Sequence, residues 1–351
     1  TVVKGAIWVK QGNAIQKERF VNMLLKIPAI DKCEILSDTE NGFTAEIELE
    51  SGLLRMFHVH VLNRAYPQQI KEVIDKWGSQ QNVYEVIIAP YISDVSAELC
   101  EKSDIGYMDE AGNCLIKTHT IYISEKGNSN KMISKQKMKT VFDPSYVVSS
   151  KILRYLMKDV KRVWKLKYLA NEVECSIGQV SKVKDYLCEQ LWAEMTPNGL
   201  AIIDVEAIMT AWSKEYIISK NNSHSLYTLD PIAIFEKKVQ KLIVEKGISC
   251  YLTGFSGGVR YTPVVRYNKI QVIIRPEDYR EFVIQSECKE VETGANVSVV
   301  IANDDDLFID FRSIEGCLVA SPVQIYLDCM QNKGRGEEMA EAILKKEINI
   351  K

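Results

Sequence analysis

Ser150-Lys-Ile-Leu-Arg-Tyr-Leu-Met157, Trp164-Lys-Leu-Lys-Tyr-Leu-Ala170 and Ser176-Ile-Gly-Gln-Val-Ser-Lys-Val-Lys-Asp-Tyr-Leu187 decide how this chain is read. In the first, Ile152, Leu153, Leu156 and Met157 recur at helical spacing. The second starts another helix, and Ser176 is a suitable N-cap for a third. Leu191-Trp-Ala-Glu-Met195 and Gly199-Leu-Ala-Ile-Ile-Asp204 follow as two strands, joined by the turn-forming Thr196-Pro-Asn-Gly199. Three helices and then a hairpin make the order of a winged helix-turn-helix, placed at 145–218. In that geometry the third helix enters the major groove of DNA.

At 100° per residue, Ile177, Val180, Val183 and Leu187 form one stripe of the third helix, which is expected to face the first two. Gly178, Ser181, Lys182 and Asp185 fall on the opposite side, with Gln179 flanking them. Gln179, Ser181 and Lys182 are therefore the candidates for reading bases: Gln suits adenine edges, Lys suits guanine or phosphate. Gly178 allows close approach of a ligand to the backbone. Lys165, Lys167, Lys182 and Lys184 are the candidates for neutralising phosphates, with Asn198 at the hairpin tip as a helper. The same face also fits a winged helix that binds protein, or one that spaces two domains. Charge favours DNA. From Lys126 to Gln190, fourteen Lys or Arg oppose six acids, a net +8 in a chain of −3. The remaining sequence thus carries −11, so a positive field sits beside an acidic body.

A chain of 351 residues suits two or three domains rather than one core. Its composition, 46% hydrophobic and 26% charged, is that of a folded protein in water. No apolar run reaches the length of a membrane span, and the start of the sequence has no signal-peptide pattern, so a cytoplasmic protein with no membrane partner is expected. Nine cysteines are scattered without a Cys-x-x-Cys pair, which points to reduced thiols rather than disulfides or zinc. Cys100, Cys175, Cys188, Cys250, Cys317 and Cys329 stand in apolar surroundings and are expected in the core.

Outward from the helical segment, residues 1–125 read as one α/β domain. Lys17 to Leu25 is expected to be helical. Lys32 to Leu36, Gly42 to Glu50 and Leu54 to Val61 read as strands, the last two joined by Ser51-Gly52. Pro67 to Trp77 reads as a helix and Tyr84 to Ala89 as a buried strand. Ser93 opens a helix to about Ser103, and Ile105 to Asp109 and Asn113 to Ile116 finish the sheet. Gly127-Asn-Ser-Asn and the lysines to Lys139 form a polar connection, and Lys220-Asn-Asn-Ser-His224 is a second break. Val205 to Tyr216 closes the helical segment. A second α/β domain spans 226–351. It starts with Asp230 as N-cap and Pro231 at the first helical position of a helix ending at Gly247. Strands follow at Cys250 to Thr253, Val264 to Tyr267, Ile270 to Ile274 and Val297 to Ile301. A helix over Ser321 to Met330 and another from about Glu337 to Lys346 end the chain.

Several motifs in order are similar to the AbiEi-like antitoxin regulators of type IV toxin–antitoxin systems. They are Ala89-Pro-Tyr-Ile-Ser93, Gly106-Tyr-Met-Asp-Glu-Ala-Gly-Asn113, Leu252-Thr-Gly-Phe-Ser256, Val265-Arg-Tyr-Asn268, Ser321-Pro-Val-Gln-Ile-Tyr-Leu-Asp328 and Gly334-Arg-Gly-Glu-Glu-Met-Ala-Glu-Ala-Ile-Leu344. The resemblance covers residues 85–345. It implies an autoregulating repressor that binds double-stranded operator DNA. It also implies a toxin encoded alongside, of nucleotidyltransferase type, that need not touch the antitoxin. Half-site recognition would pair two copies in a homodimer.

The first α/β domain further resembles the restriction-nuclease fold and the last the nucleotidyltransferase fold, both without their working acids. The nuclease pattern needs an acid on one strand, for which Glu46 or Glu48 would serve. It then needs an acid-x-Lys on the next, where His58-Val-His-Val-Leu62 stands instead. His58 and His60 share a strand face, but spacing identifies no third ligand, so no metal site and no cofactor are expected. Asp109 and Asn113 read as ordering a turn around Gly112. In the last domain, Gly254, Ser256, Gly257, Gly258 and Arg260 form a candidate phosphate or nucleotide loop. The strands after it carry Arg266, Lys269 and Gln271 but no aspartate pair, and Asp304-Asp-Asp306 reads as an exposed turn. A non-enzymatic regulator is thus expected. An active metal-dependent nuclease or nucleotidyltransferase, or a protein-interaction adaptor, remains the alternative.

Overall fold

The computed structural model describes residues 3–76, 83–128, 140–216 and 223–349, with side chains from residue 14 onward. The expected connections at 129–139 and 220–222, the lysines at 131, 135, 137 and 139, and Trp77 lie outside the described residues. The chain divides into two compact units, 1–138 and 139–351. It is mixed α/β, as expected.

In the first unit, seven strands follow one another in space as they do in sequence: β1 (Ile30–Thr39), β2 (Gly42–Leu49), β3 (Leu54–Val61), β4 (Val83–Ala89), β5 (Gly106–Asp109), β6 (Cys114–Lys117) and β7 (Tyr122–Glu125). β3, β4 and β5 run parallel; the remaining pairs are antiparallel. Alternation fixes the faces. Phe43, Ala45, Ile47, Phe57 and Val59 point to one side, where Phe20 and Leu24 of helix α1 (Val3–Leu24) cover them. Ile87, Ala89 and Tyr107 point to the other, under Ile70 of α2 (Pro67–Lys76) and Cys100 of α3 (Asp94–Lys102). β4 is therefore covered on both faces, which explains its run of five buried residues from Glu85 to Ala89. Asp109 Oδ1 and Oδ2 accept from the backbone N and Nδ2 of Asn113, both at 2.9 Å, with Gly112 at φ +91, so these residues order the expected turn. α1 starts far earlier than Lys17, and β7 has no counterpart in the sequence reading.

In the second unit, α4 (Val147–Lys158), α5 (Leu166–Val173) and α6 (Ile177–Glu189) lead into the hairpin β8 (Ala193–Thr196) and β9 (Gly199–Ile202), and α7 (Val205–Glu215) follows. β10 (Ser223–Tyr227), α8 (Ile232–Lys246), β11 (Cys250–Thr253), α9 (Gly254–Tyr261), β12 (Ile270–Ile274), α10 (Pro276–Ser286), β13 (Lys289–Glu290), β14 (Val297–Ile301), β15 (Arg312–Ile314) and β16 (Cys317–Val319) come next. The unit ends with α11 (Pro322–Met330), α12 (Arg335–Ile343) and a π-helical turn over Leu344–Ile348. The sheet order is β13-β10-β14-β12-β11-β16-β15. One apolar core runs without interruption from Phe142 and Leu153 through Trp212 to Leu252 and Leu327.

Four expectations need correction here. Pro231 is itself the N-cap of α8, at φ −54 and ψ 144, and the Asp230 carboxylate pairs with Lys238 at 2.8 Å instead of capping. Val264 to Tyr267 is not a strand; Pro263 precedes it without an N–H to donate, and no strand pairs with it. Asp306 is buried in a short 3₁₀ turn, Asp305–Phe308, leaving only Asp304 and Asp305 exposed as expected. Cys175 and Cys188 are half-buried, whereas Cys100, Cys250, Cys317 and Cys329 are in the core.

Candidate nucleic-acid interface

Hydrogen bonds set the start of α6. Ser176 is its N-cap, and Ser176 Oγ accepts from the backbone N of Gln179 at 3.3 Å. In return, Gln179 Oε1 accepts from the Ser176 backbone N at 3.1 Å and from its hydroxyl at 3.2 Å. This capping box satisfies donors that a helix start otherwise leaves orphaned. Gln179 is exposed, but its carbonyl oxygen is committed to the protein. A two-point contact with adenine, which needs that oxygen and the amide N–H together, would have to open the box.

Val180, Val183 and Leu187 are fully buried against α4 and α5, each contributing roughly 1.5–3 kcal/mol. Ile177 departs from the expected stripe. It sits at the first helical position, three residues after the left-handed Glu174 at φ +59, and stays 50% exposed. Gly178 is exposed too, and a Cβ there would meet nothing nearer than Ser176 Oγ at 3.8 Å. Ser181 is half-buried. Lys182 is exposed and has no ion-pair partner among the described residues. Lys184 differs: it pairs with neighbouring Asp185 and keeps only 21% side-chain exposure.

The hairpin is fixed beside this face. Leu200 and Trp164 exchange backbone hydrogen bonds at 2.8 and 2.9 Å, which ties β9 to the segment entering α5. Gly199, at φ +137, is needed there, since a Cβ would strike the Trp164 carbonyl oxygen at 2.5 Å. Asn198 is exposed at the tip, its backbone N donating to Thr196 Oγ1 at 3.2 Å. Lys165, at the N-cap of α5, and Lys167 are exposed, again without ion-pair partners among the described residues. The sequence reading missed Lys161, which is equally exposed, and the half-exposed apolar side chains Tyr168 and Met195. Their signal, an apolar residue out of phase with the buried stripe, was present but unspecific.

Other cations of the +8 segment serve the protein itself. Arg154 is 2% exposed: Nη2 donates to Gln324 Oε1 at 2.7 Å, Nε lies 3.6 Å from Asp306 Oδ2, and the guanidinium stands over the Trp212 ring. Ser150 also donates to Asp306, at 2.6 Å. Gln324 Nε2 continues the network to Asp328 Oδ1 at 2.8 Å and the Tyr216 hydroxyl at 2.7 Å, and Thr253 donates to Asp328 Oδ2. Burial pushes the Asp328 carboxyl and, strongly, the Tyr216 phenol upward. Lys158 faces Asp310, and Arg162 faces Glu172 while covering Trp164.

The stretch expected as a phosphate loop is helix α9. Gly254, Ser256, Gly257 and Gly258 are buried in it. The Ser256 hydroxyl bonds the Thr253 and Gln271 carbonyls, at 2.9 and 3.1 Å, and accepts from the Gln271 backbone N at 3.0 Å. The Gln271 side chain lies against Gly254, Leu252 and Ile325 close over Gly257, and Met339 closes over Gly258. Arg260 bridges Glu236 at 2.6 Å and Glu315 at 2.9 Å. These glycines serve helix packing, so the open-loop reading is corrected. In the first unit, His58 and His60 do have a third donor beside them: Glu85 of β4. Spacing in sequence could not reveal it.

Residues 201–349 match the family described as transcriptional regulator, AbiEi antitoxin, type IV TA system. The match bears out the resemblance over that span, which contains the motifs from Leu252 to Leu344. It points to a regulator of the antitoxin kind. Neither the curated proteins nor the solved structures contain a match. No helix among the described residues is long and apolar enough to cross a membrane.

Proposed function

We propose that residues 140–216 form a winged helix-turn-helix that binds operator DNA, with α6 in the major groove, and that the chain is an autoregulating, type IV antitoxin-like repressor. What carries the reading is the start of α6, open and exposed at Gly178 and Lys182 beside a fixed hairpin, in the same compact unit as the segment that matches the regulator family. Lys165, Lys167 and Lys182 neutralise phosphates, with Lys184 released from Asp185 on binding. Lys182, Ser181 and the amide end of Gln179 read bases near the helix start, and Ile177 meets thymine methyl groups. Asn198 follows the backbone from the wing.

The two α/β regions, 1–125 and 226–351, act as scaffolds derived from nuclease-like and nucleotidyltransferase-like folds. The chain works as a homodimer on paired half-sites, in a reducing cytoplasm that suits nine unpaired thiols, and counteracts a toxin without holding it. Exposed Tyr168, Ile177 and Met195 favour a second reading, a protein-interaction adaptor. A gel-shift titration against the DNA upstream of the protein's own coding sequence, at two salt concentrations, separates the two. We expect binding that weakens steeply with salt, and a Lys182→Ala loss of about 1–3 kcal/mol. Affinity insensitive to both salt and Lys182→Ala would reject the DNA reading.

A further inference from the structure

We propose that His58, His60 and Glu85 bind one transition-metal ion of the zinc class on the face of the first unit's sheet that α2 and α3 partly cover. Residues i and i+2 of a strand share a face, which places both imidazoles of β3 together. β3 and β4 are parallel with His58 opposite Glu85, so the carboxylate joins them on that face. Glu85 Oε2 lies 2.6 Å from His60 Nε2. His58 Nδ1 lies 3.2 and 3.3 Å from the two Glu85 oxygens. All three donor atoms fall within 4.8 Å of one another. Tetrahedral zinc, with bonds of about 2.0–2.2 Å, holds its ligand atoms roughly 3.3–3.6 Å apart. Binding would bring the three side chains to that spacing by rotation about their own bonds.

Burial supplies the reason for a cation. Glu85 is 4% exposed, and its hydrogen-bond partners among the described residues are these two imidazoles; no described Lys or Arg pairs with it. A buried carboxylate needs compensating charge, which a divalent ion supplies directly. Two nitrogens and one oxygen suit zinc and its first-row neighbours; magnesium and calcium prefer oxygen donors alone. The site is also accessible. His58 and His60 keep 29% and 20% side-chain exposure, and the residues opposite them on β2 are small, Thr44 and Gly42. A fourth position is thereby left to water or an incoming anionic ligand. The ligands stand on the third and fourth strands of a seven-stranded sheet, a more rigid support than a loop.

The test titrates the full chain, thiols kept reduced, with ZnCl₂ by calorimetry and with CoCl₂ by visible absorption. One equivalent of metal should bind. Cobalt should give the spectrum of nitrogen and oxygen ligation, without thiolate charge-transfer bands. His60→Ala should weaken binding by more than ~100-fold, beyond what the loss of an outer-shell partner costs. Zinc should raise the melting temperature of the wild-type chain and not that of His60→Ala. Glu85→Gln, which keeps the shape, should lose affinity as well. If it fails to fold, the wild-type titration and His60→Ala, at a side chain 20% exposed, decide the matter. Absence of stoichiometric binding to the wild-type chain, or equal affinity in His60→Ala, overturns the site. Thiolate bands would assign the metal to cysteines and overturn it equally.

Discussion

Gly178 and Gly257 both lie near the start of a helix, close in sequence to cationic side chains, yet the protein uses them in opposite ways. Around Gly178 of α6 the space is empty to 3.8 Å. At Gly257 of α9 a Cβ would lie 2.6 Å from both Ile325 Cδ1 and the Leu252 carbonyl oxygen. The cations divide likewise: Lys182 faces solvent, whereas Arg260 is held between Glu236 and Glu315. A glycine beside a basic residue therefore says only that something approaches the backbone closely. Whether that is an outside ligand or the protein's own core depends on what the opposite elements place there.

The largest expected effect tests the closed side. Arg154→Ala should cost about 3–5 kcal/mol, because Asp306 would be left buried without its cation and Gln324 without its donor. Urea denaturation measures this, and a loss under ~1 kcal/mol would return Arg154 to the pool of DNA-facing cations. Gly257→Ala comes next, at about 1–3 kcal/mol, since one of its two clashes is with backbone. An unchanged urea midpoint would mean that α9 can swing away and serve as the open loop after all. Gly178→Ala should do the reverse: stability rises by up to ~1 kcal/mol while operator affinity falls. Undiminished DNA binding in that variant would take the start of α6 out of the interface.

The smallest effect concerns pH. Burial raises the Asp328 carboxyl, so the folded protein holds that proton to higher pH than the unfolded chain, whose value is about 3.9. The resulting stabilisation is present at low pH and is lost as pH rises through the folded value. The urea midpoint of the wild-type chain relative to Asp328→Asn should therefore fall as pH increases above ~4. A rise instead would mean that the bonds from Thr253, Gln324 and Tyr216 outweigh burial.

Local signals were legible because their physics is local. Ser93, Ser176 and Ser321 cap helices by bonds to residues three positions on. Gly247 ends α8 at φ +69, and Thr196-Pro-Asn-Gly199 turns a hairpin. Near misses have local causes too. Asp230 and Pro231 compete for one capping position, and the outcome depends on Lys238 drawing the aspartate away.

By itself, the sequence determined the order of helices and strands from Val147 to Glu215, the basic character of the 126–190 segment and the similarity of the C-terminal part to the antitoxin regulators, since each rests on neighbours in the chain. Only the tertiary structure decided that Arg154 is a buried strut, that Gly254 to Gly258 is a packed helix, and that Glu85 completes a cluster with His58 and His60. Those outcomes depend on side chains up to 170 residues apart, which meet through strand register and helix packing. No local pattern in the chain encodes such a meeting.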